Sequence, residues 1–591
     1  MLEEKAIASG EGQKISLPVG DTTITIMATK GDVSMGTVIK ANRKSDGAYM
    51  AAEPYRPQFH YTAENGCLDD PNGLVYDPSN GTWHMYYQFN LVYPGFYNWG
   101  HAQSTDLVHW QEMPIAIAPD ELGTIFSGSA VVDDKNTSGF FTDNKSGESK
   151  LVAFYTYHAG PVGQVIATAY SKDHGVTWTK YEGNPVIDET HRIYGPDFRD
   201  PKVWWQEDPE EPAGGIWLMV VAGGRGRLFS SHDLKTWKDE QAFVHDAGSG
   251  NDVWSECPTM FPLTVEGTDE EKWVYVGASD VFAVGDLKKT EDGWRFVNVT
   301  DFIQTGAGGA SSLYAGQHYF NDGAGKDRKI MVHWIQEWNP FGNYGPDGKR
   351  WNAIQSVPRE TGLKIIDDQY HLTAYPVEEI DANRGDVIFS TENTVVDENT
   401  PNILADTTGQ YYDVEATFTP GTAKEFGFKL RTGNGQETVV KYNTETDKLL
   451  LDFSKSGPAA RSNLEWTLHP MENGKIQMRI LVDNSIIEVF GNYGDADMGD
   501  LCYPDPDSIG MEFFTVGGDV TIDEMNIWQM KSMYTEDGES GTEPMFLTLK
   551  APEIAEPGEE FTVQSTILPL TATDKSVTWE TPRGPDRSRG S

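Results

Sequence analysis

A short acidic turn that runs into tryptophan recurs along the chain and limits the folds that the sequence allows. The copies DLVHW, DHGVTW, DLKTW and EDGW end at Trp110, Trp178, Trp237 and Trp294, at intervals of 68, 59 and 57 residues. Short β-branched and aromatic runs lie between them, and helical periodicity is scarce. A period of about 60 residues with about four strands per copy is typical of a β-propeller blade. We therefore expect five blades over residues 54–376, with a large β-sandwich and coincidental tryptophan spacing as the alternative.

The rest of the chain has other strand patterns, which predict further domains. Long alternating strands such as EFGFKLRT and IQMRILVDNSIIEVFGN predict a β-sandwich over 377–532. A polar linker is expected over 533–544, part of an Ig-like module over 545–583, and a basic tail, interpreted as an addition to the natural chain, over 584–591. Residues 1–53 are expected to form a β-rich appendage. The predicted fold class is all-β: a five-bladed propeller, a sandwich and small β-rich appendages at both ends.

The charge balance argues against several classes of partner. The chain has 46 Lys and Arg against 90 Asp and Glu, a formal net charge of -44, so it lacks the basic footprint of a nucleic-acid-binding protein. No apolar run reaches the roughly 18 residues that cross a membrane. The three cysteines, Cys67, Cys257 and Cys502, predict neither a disulfide framework nor a zinc site, and we expect no metal or cofactor. A neutral substrate such as a sugar agrees with this composition.

Acidic residues lie beside turn signatures in different predicted blades. Asp69 and Asp70 open the turn DDPNG, Asp200 lies in FRDPKV, and Glu256 lies in SECPTMF. Taken singly, Asp200 and Glu256 are each more typical of a structural carboxylate, solvated or capping, because Asp-Pro is a common turn opener. The inner ends of propeller blades converge on one axis. Carboxylates in register with different blades therefore predict a shared site.

The motifs together resemble glycoside hydrolase family 32, the invertases, inulinases and levanases. The resemblance covers residues 58–528 and rests on LDDPNGLVYD, YYQFN, NWGHAQSTDLVHW, FSGSAVVD, FRDPKV, SECPTMF, QSVPRE and LVDNSIIEVF in that order. It implies a retaining hydrolase that cleaves β-fructofuranosidic bonds through a covalent fructosyl-enzyme. Retention requires two carboxyl groups about 5–5.5 Å apart.

The resemblance also implies a role for each carboxyl group. Asp70 aligns with the nucleophile, Glu256 with the general acid/base and Asp200 with the transition-state stabiliser. Trp and Met neighbours are expected to desolvate Glu256, and the two aspartates to keep it protonated. Trp99 suits both an apolar wall for a sugar and core packing under a blade. The predicted substrate-binding residues are Asp69, Asn72, Gln88, Trp99, Phe126, Ser127, Arg199, Trp254 and Trp338.

Two residues depart from the family pattern, because Cys67 and Asp69 stand where the family has Trp and Asn. An amide both donates and accepts hydrogen bonds, whereas an ionised Asp69 only accepts them. Its charge would also repel that of Asp70. Asp69 is therefore a rival for the nucleophile, and the offset of Asp70 from Pro71 favours Asp70.

We predict a secreted or cell-surface enzyme that acts on fructans, levan or inulin, and also on sucrose. The alternatives are a fructosyltransferase that uses the same intermediate and a non-catalytic fructan-binding protein. The sequence leaves open β-2,1 against β-2,6 preference, exo against endo attack, and oligomeric state. The first residues, MLEEKAIASG, contain no apolar signal region, so we expect that an export signal is missing from this sequence. The Ig-like module predicts attachment to a cell surface or polysaccharide.

Overall fold

A computed structural model describes most of the chain. The described residues are 22–30, 33–41, 48–64, 66–90, 97–141, 148–160, 163–188, 197–222, 226–242, 256–278, 281–304, 313–321, 323, 325, 328–335, 351–458, 463–534, 546–550 and 564–568. The chain divides into two compact units. One comprises Glu53–Gln111 and Ile115–Met533, and the other comprises Met1–Ala52, Glu112–Pro114 and Tyr534–Ser591.

In the second unit, two strands near the N-terminus form an antiparallel sheet and a short helix follows. They are β1 (Thr22–Lys30), β2 (Val33–Ala41) and α1 (Ala48–Ala51).

The first unit begins with five antiparallel sheets among its described residues. The first contains β3 (Gly66–Asp77), β4 (Thr82–Asn90), β5 (Asn98–Ser104) and β6 (Gln111–Ile117), and the second contains β7 (Thr124–Val132), β8 (Leu151–His158), β9 (Val165–Ser171) and β10 (Thr179–Lys180). The third contains β11 (Arg199–Glu207), β12 (Gly215–Ala222), β13 (Arg227–Ser231) and β14 (Lys238–Ala242). The fourth contains β15 (Thr259–Thr264), β16 (Glu271–Gly277), β17 (Val281–Thr290) and β18 (Gly293–Asn298), with β19 (Ile303–Gln304) beside β17.

The fifth sheet closes the ring. It contains β20 (Leu313–His318), β21 (Ile330–Ile335), β24 (Arg359–Ile366) and β25 (Gln369–Pro376), while β22 (Trp351–Asn352) pairs in parallel with β3 and β23 (Ile354–Gln355) lies beside β21. The first strands of the sheets contact one another, β3 with β7, β7 with β11, β15 with β20 and β20 with β3. These first strands therefore line the axis of a five-bladed propeller, as the repeat predicts, and the alternative of one large sandwich is wrong.

The repeated acidic turn joins the third and fourth strands of the first three blades. In each copy an aspartate side chain accepts a backbone N–H a few residues further on, and the next residue has a φ of about +60°. Such Asx-type turns fix a chain reversal locally. The repeat therefore specifies the turn between the third and fourth strands of these blades, and not the packing of the blade core. The residue pairs are Asp106–Leu107, Asp173–His174 and Asp233–Leu234.

A β-sandwich follows the propeller in the same unit. After α2 (Glu378–Ala382), the strands are β26 (Arg384–Val396), β27 (Tyr411–Pro420), β28 (Glu425–Gly433), β29 (Gln436–Asn443), β30 (Lys448–Lys455), β31 (Leu464–Thr467), β32 (Ile476–Asp483), β33 (Ile486–Gly491), β34 (Ala496–Leu501), β35 (Gly510–Val516) and β36 (Val520–Met530). The sheet orders are β26-β36-β27-β32-β33-β34 and β31-β30-β29-β28-β35. Phe418 and Phe513, one from each sheet, stack with ring centroids 5.5 Å apart in the shared core.

In the second unit, the C-terminal residues contain β37 (Phe546–Lys550) and β38 (Gln564–Leu568), paired antiparallel. Within the described part of the chain, no helix has the length and apolar character that a membrane crossing needs.

A buried charge network joins the propeller to the sandwich. Asp483 lies at the end of β32. Its Oδ2 accepts two hydrogen bonds from His60, one from the backbone N–H and one from Nδ1, both at 2.9 Å. His60 Nε2 lies 2.9 Å from Glu488, which also pairs with Arg359 of β24. All four side chains are fully buried. Separating the two domains would leave buried charges unpaired, which is costly. The network therefore fixes the position of the propeller against the sandwich.

The network makes the unfolding free energy depend on pH. Burial alone lowers the pKa of His60, but hydrogen bonds and charge from Asp483 and Glu488 raise it to about 9, above the 6.5 of an unfolded chain. The contribution of protonated His60 to the free energy of unfolding is therefore complete below pH 6.5 and is lost as pH rises through about 9.

We expect His60→Gln to lower the free energy of unfolding by at most about 3 kcal/mol near pH 6, and by progressively less between pH 7 and pH 10. Urea denaturation across that range measures the difference between parent and variant. The exposed His232 provides the control, His232→Gln. A penalty for His60→Gln that stays constant with pH would contradict a charged His60.

Candidate active site

Backbone irregularities mark one end of the inner strands. In the described part of the chain, four of the five inner strands shift register near their first residues, at Leu68/Pro71, Phe126/Gly128, Arg199/Lys202 and Tyr314/Gln317. A β-bulge bends its strand and redirects the side chains beside it. Asp200, Cys257 and Ala315 have positive φ of +62°, +47° and +52°, which non-glycine residues rarely adopt. The irregular segments carry the predicted carboxyl residues to the axis.

Cys257 connects two of the three carboxyl groups. Asp70 Oδ2 accepts hydrogen bonds from Ser127 Oγ at 2.7 Å and from Cys257 Sγ at 3.3 Å. The same sulfur lies 3.6 Å from Asp200 Oδ2, and the Cys257 backbone N–H donates to that oxygen at 2.9 Å. Asp70 and Asp200, from the first and third blades, therefore share one donor residue, and Glu256 precedes that residue in the chain.

Arg199 connects Glu256 to the same group. Its Nη2 pairs with Glu256 Oε1, and its Nε lies 3.6 Å from Asp200 Oδ2. Tyr314 donates its hydroxyl hydrogen to Glu256 Oε2 at 2.8 Å. We call this group the carboxyl cluster, and its members are Asp70, Ser127, Arg199, Asp200, Glu256, Cys257 and Tyr314. Its carboxyl groups come from three different blades.

The members of the carboxyl cluster have different proton affinities. Burial raises the pKa of Asp70, and the hydrogen bonds from Ser127 and Cys257 oppose that rise. Burial also raises the pKa of Asp200, to about 7, although the charge of Arg199 lowers it. The pKa of the Cys257 thiol is raised well above its ordinary value by burial and then by the neighbouring carboxylates, so this thiol keeps its hydrogen and acts as a donor.

Asp69 is adjacent to the carboxyl cluster and has different surroundings. Gln355 Nε2 donates to the Asp69 backbone oxygen at 2.8 Å, while the Asp69 side chain accepts no hydrogen bond from any described residue. Burial, and next the charge of Asp70, raise the pKa of Asp69 well above its ordinary value.

The other predicted binding residues have varied positions. Asn72 is buried, and its Oδ1 accepts a hydrogen bond from the Gly128 N–H at 3.1 Å. Gln88 is buried on β4, and its Oε1 has no partner among the described residues. Phe126 precedes Ser127 and stacks on His158, with ring centroids 4.0 Å apart. Trp254 and Trp338 lie outside the described residues.

Two expectations need correction. Trp99 has no exposed surface, its indole N–H donates to the Phe126 carbonyl at 3.0 Å, and its ring stacks with Tyr86. It is therefore a core residue and does not form a wall for a sugar. The side chain of Glu256 is 46% exposed, so the expected desolvation of this carboxyl group is also wrong. Among the described residues, Arg199 and Tyr314 bind its oxygens.

Sequence reasoning missed Tyr314 and Gln355. Both lie in the last blade, in segments without an acidic turn signature, and Gln355 lies on a two-residue strand. The available signal for Tyr314 is its position, because it occupies the inner strand of its blade at the level of the other bulges. Gln355 opens the motif QSVPRE, which is part of the family resemblance but assigned this residue no role. Within the described part of the chain, no group of three or more His, Cys, Asp and Glu side chains could hold a metal ion.

Comparisons with known proteins agree with the propeller and sandwich fold. Residues 60–376 match the family described as "Glycosyl hydrolases family 32 N-terminal domain", and residues 379–529 match "Glycosyl hydrolases family 32 C terminal". A levanase of Bacillus subtilis (strain 168) is 38% identical over 83% of this chain and 72% of the relative. An extracellular exo-inulinase of Aspergillus ficuum is 30% identical over 81% of this chain and 96% of the relative. The crystal structure of an exo-inulinase from Aspergillus awamori superposes with a TM-score of 0.69 at 28% identity, covering 82% of this chain and 99% of the other.

Loss of the Arg199 charge should destabilise the protein most at high pH. Arg199→Gln leaves Asp200 and Glu256 without their cation, so the pKa of Asp200 rises further above its unfolded value. Stability conferred by a group with a raised pKa is lost as pH rises. We expect the free energy of unfolding to fall by about 1–3 kcal/mol more at pH 8 than at pH 5, measured by urea denaturation.

Arg328→Gln is the matched control, because Arg328 pairs with Glu379 away from the carboxyl cluster. If Arg199→Gln and Arg328→Gln show the same dependence on pH, the guanidinium of Arg199 does not balance the charge of the cluster.

Proposed function

The chain belongs to glycosyl hydrolase family 32 and is a glycosidase that hydrolyses β-fructosidic bonds, and from this premise we propose that it cleaves levan or inulin with retention of configuration. The observation that carries the proposal is that Asp70 accepts a hydrogen bond from the Cys257 thiol, and that Glu256 is the residue before Cys257 in the chain. Two carboxyl groups on either side of a glycosidic bond are what a double displacement requires. The levanase and exo-inulinase relatives support fructan as the substrate class.

In the proposed first step, Asp70 attacks the anomeric carbon of the fructosyl group and Glu256 protonates the departing oxygen. The bond from carbon to the leaving oxygen breaks as the ester bond to Asp70 forms. Asp70 is better placed than Asp200 to act as the nucleophile, because Asp70 is partly accessible whereas Asp200 is only 5% exposed. Asp200 also accepts the hydrogen bond of the Cys257 backbone N–H. The thiol and hydroxyl donors on Asp70 Oδ2 orient the carboxylate and preserve its charge before attack.

In the proposed second step, Glu256 removes a proton from water and the oxygen of that water displaces Asp70 from the anomeric carbon. Its partial exposure lets Glu256 exchange protons with solvent between steps. Tyr314 binds Glu256 Oε2 and Arg199 binds Oε1, so these two contacts orient the carboxyl group toward the leaving oxygen and then toward water. Asp200, fixed by Arg199 and Cys257, would stabilise the positive charge that develops on the sugar.

We also propose that the protein is secreted, since one relative is named an extracellular exo-inulinase. Attachment to a cell surface or polysaccharide through residues 545–583 stays a prediction.

Product analysis tests the proposed substrate class. The parent protein, incubated separately with levan, inulin and sucrose, should hydrolyse at least one polymer with a higher kcat/KM than it hydrolyses sucrose. Chromatography of the first products then separates fructose alone, which indicates exo attack, from a ladder of oligosaccharides, which indicates endo attack. Cleavage of sucrose alone would contradict a fructanase.

Glu256→Gln tests the proposed acid/base. Because the amide cannot donate or accept the proton, kcat on the preferred polymer should fall at least about 100-fold, with KM changed much less. Glu271→Gln, at the exposed start of β16 in the same blade, controls for the substitution itself. A Glu256→Gln protein as active as the parent would instead favour a non-catalytic fructan-binding site.

A further inference from the structure

Asp69 and Asp70 are adjacent at the bulge of β3, and their hydrogen bonds differ. Asp70 Oδ2 accepts from Ser127 at 2.7 Å and from Cys257 at 3.3 Å. The Asp69 carboxyl group accepts from no described residue, and Gln355 binds the Asp69 backbone oxygen. The donors that stabilise a negative charge are therefore directed at Asp70 and not at Asp69.

A second negative charge beside Asp70 would be costly. The cluster already contains Asp200 and Glu256, and the cation of Arg199 is paired with both. Like charges on adjacent, poorly solvated carboxyl groups favour protonation of one of them, and the group with fewer donors takes the proton. Burial and the charge of Asp70 act in the same direction, since they raise the pKa of Asp69.

The inner strands and neighbouring segments bring other titratable groups around this pair. Only Arg199 among them is a permanent cation, and it binds other carboxylates. These groups are Arg199, Asp200, Glu256, Cys257 and Tyr314.

We propose that Asp69 is a sugar-binding residue that stays protonated, leaves the negative charge on Asp70, and donates its carboxyl hydrogen to a hydroxyl oxygen of the bound fructosyl group. A protonated carboxyl group has an O–H donor, whereas an ionised one has none. The proton makes Asp69 an isostere of the asparagine that the family pattern has here, except that its donor is lost at high pH. The inference rests on the proposed function, because it names a contact with that substrate.

Thermal unfolding tests the proton without using the reaction. The parent loses stability as pH rises through the folded-state pKa of Asp69, whereas Asp69→Asn has no proton to lose at that position. The Tm of Asp69→Asn minus that of the parent should therefore increase by about 2 °C or more between pH 4.5 and pH 8.5. Asp269→Asn, in the exposed turn after β15, should show a constant difference. A constant difference for Asp69→Asn as well would overturn the proposal.

Kinetics test the donated hydrogen bond, with levan or inulin as the probe. Asp69→Ala should lower kcat/KM about tenfold more than Asp69→Asn does, mainly through KM, because only the amide still donates. The alkaline limb of kcat/KM for Asp69→Asn should lie at higher pH than that of the parent.

Two kinetic results would count against this account in different ways. If Asp70→Asn lowers kcat much less than Asp69→Asn does, Asp69 is the nucleophile and the proposal is wrong. If the parent hydrolyses neither polymer, the proposed function is wrong, and the Tm comparison alone then decides whether Asp69 is protonated.

Discussion

Repulsion among the carboxyl groups at the propeller axis is the constraint on which this site depends. Asp70, Asp200 and Glu256 belong to one hydrogen-bonded cluster, and like charges in a poorly solvated environment are unfavourable. The guanidinium of Arg199 compensates two of them, and the neutral thiol of Cys257 donates to Asp70 while its backbone N–H binds Asp200. This compensation keeps negative charge at the axis of the folded protein, where the proposed reaction would use it to stabilise a cationic transition state.

Packing of the surrounding fold holds these carboxyl groups in place. The residues Asp200 and Cys257 have strained backbone conformations, which persist only where the surrounding structure fixes them. Closure of the ring by the pairing of β22 with β3 and the buried network around His60 provide that support. The sandwich therefore contributes to the geometry of the axis, although no cluster residue belongs to it.

The sequence predicted the parts of this structure that are encoded locally. The Asp–Trp turns are short-range devices, so their spacing revealed the blades, and the DDPNG, FRDPKV and SECPTMF motifs contained the carboxyl residues that the structure brings together. Properties set by long-range packing were not predictable. Trp99 suited both a wall for a sugar and core packing, and it is a core residue. Glu256 was expected to be desolvated and its side chain is 46% exposed. Tyr314 had no local signal because its role depends on ring closure.

The central claim is that Asp70 and Glu256 act as a double-displacement pair across one glycosidic bond. The most direct measurement is time-resolved NMR of the fructose released in the first turnovers on levan or inulin, before its anomers equilibrate. Two successive inversions at the anomeric carbon predict that fructose first appears as the β-furanose, with the configuration of the substrate. Initial release of the α-anomer would mean a single displacement by water and would contradict the account.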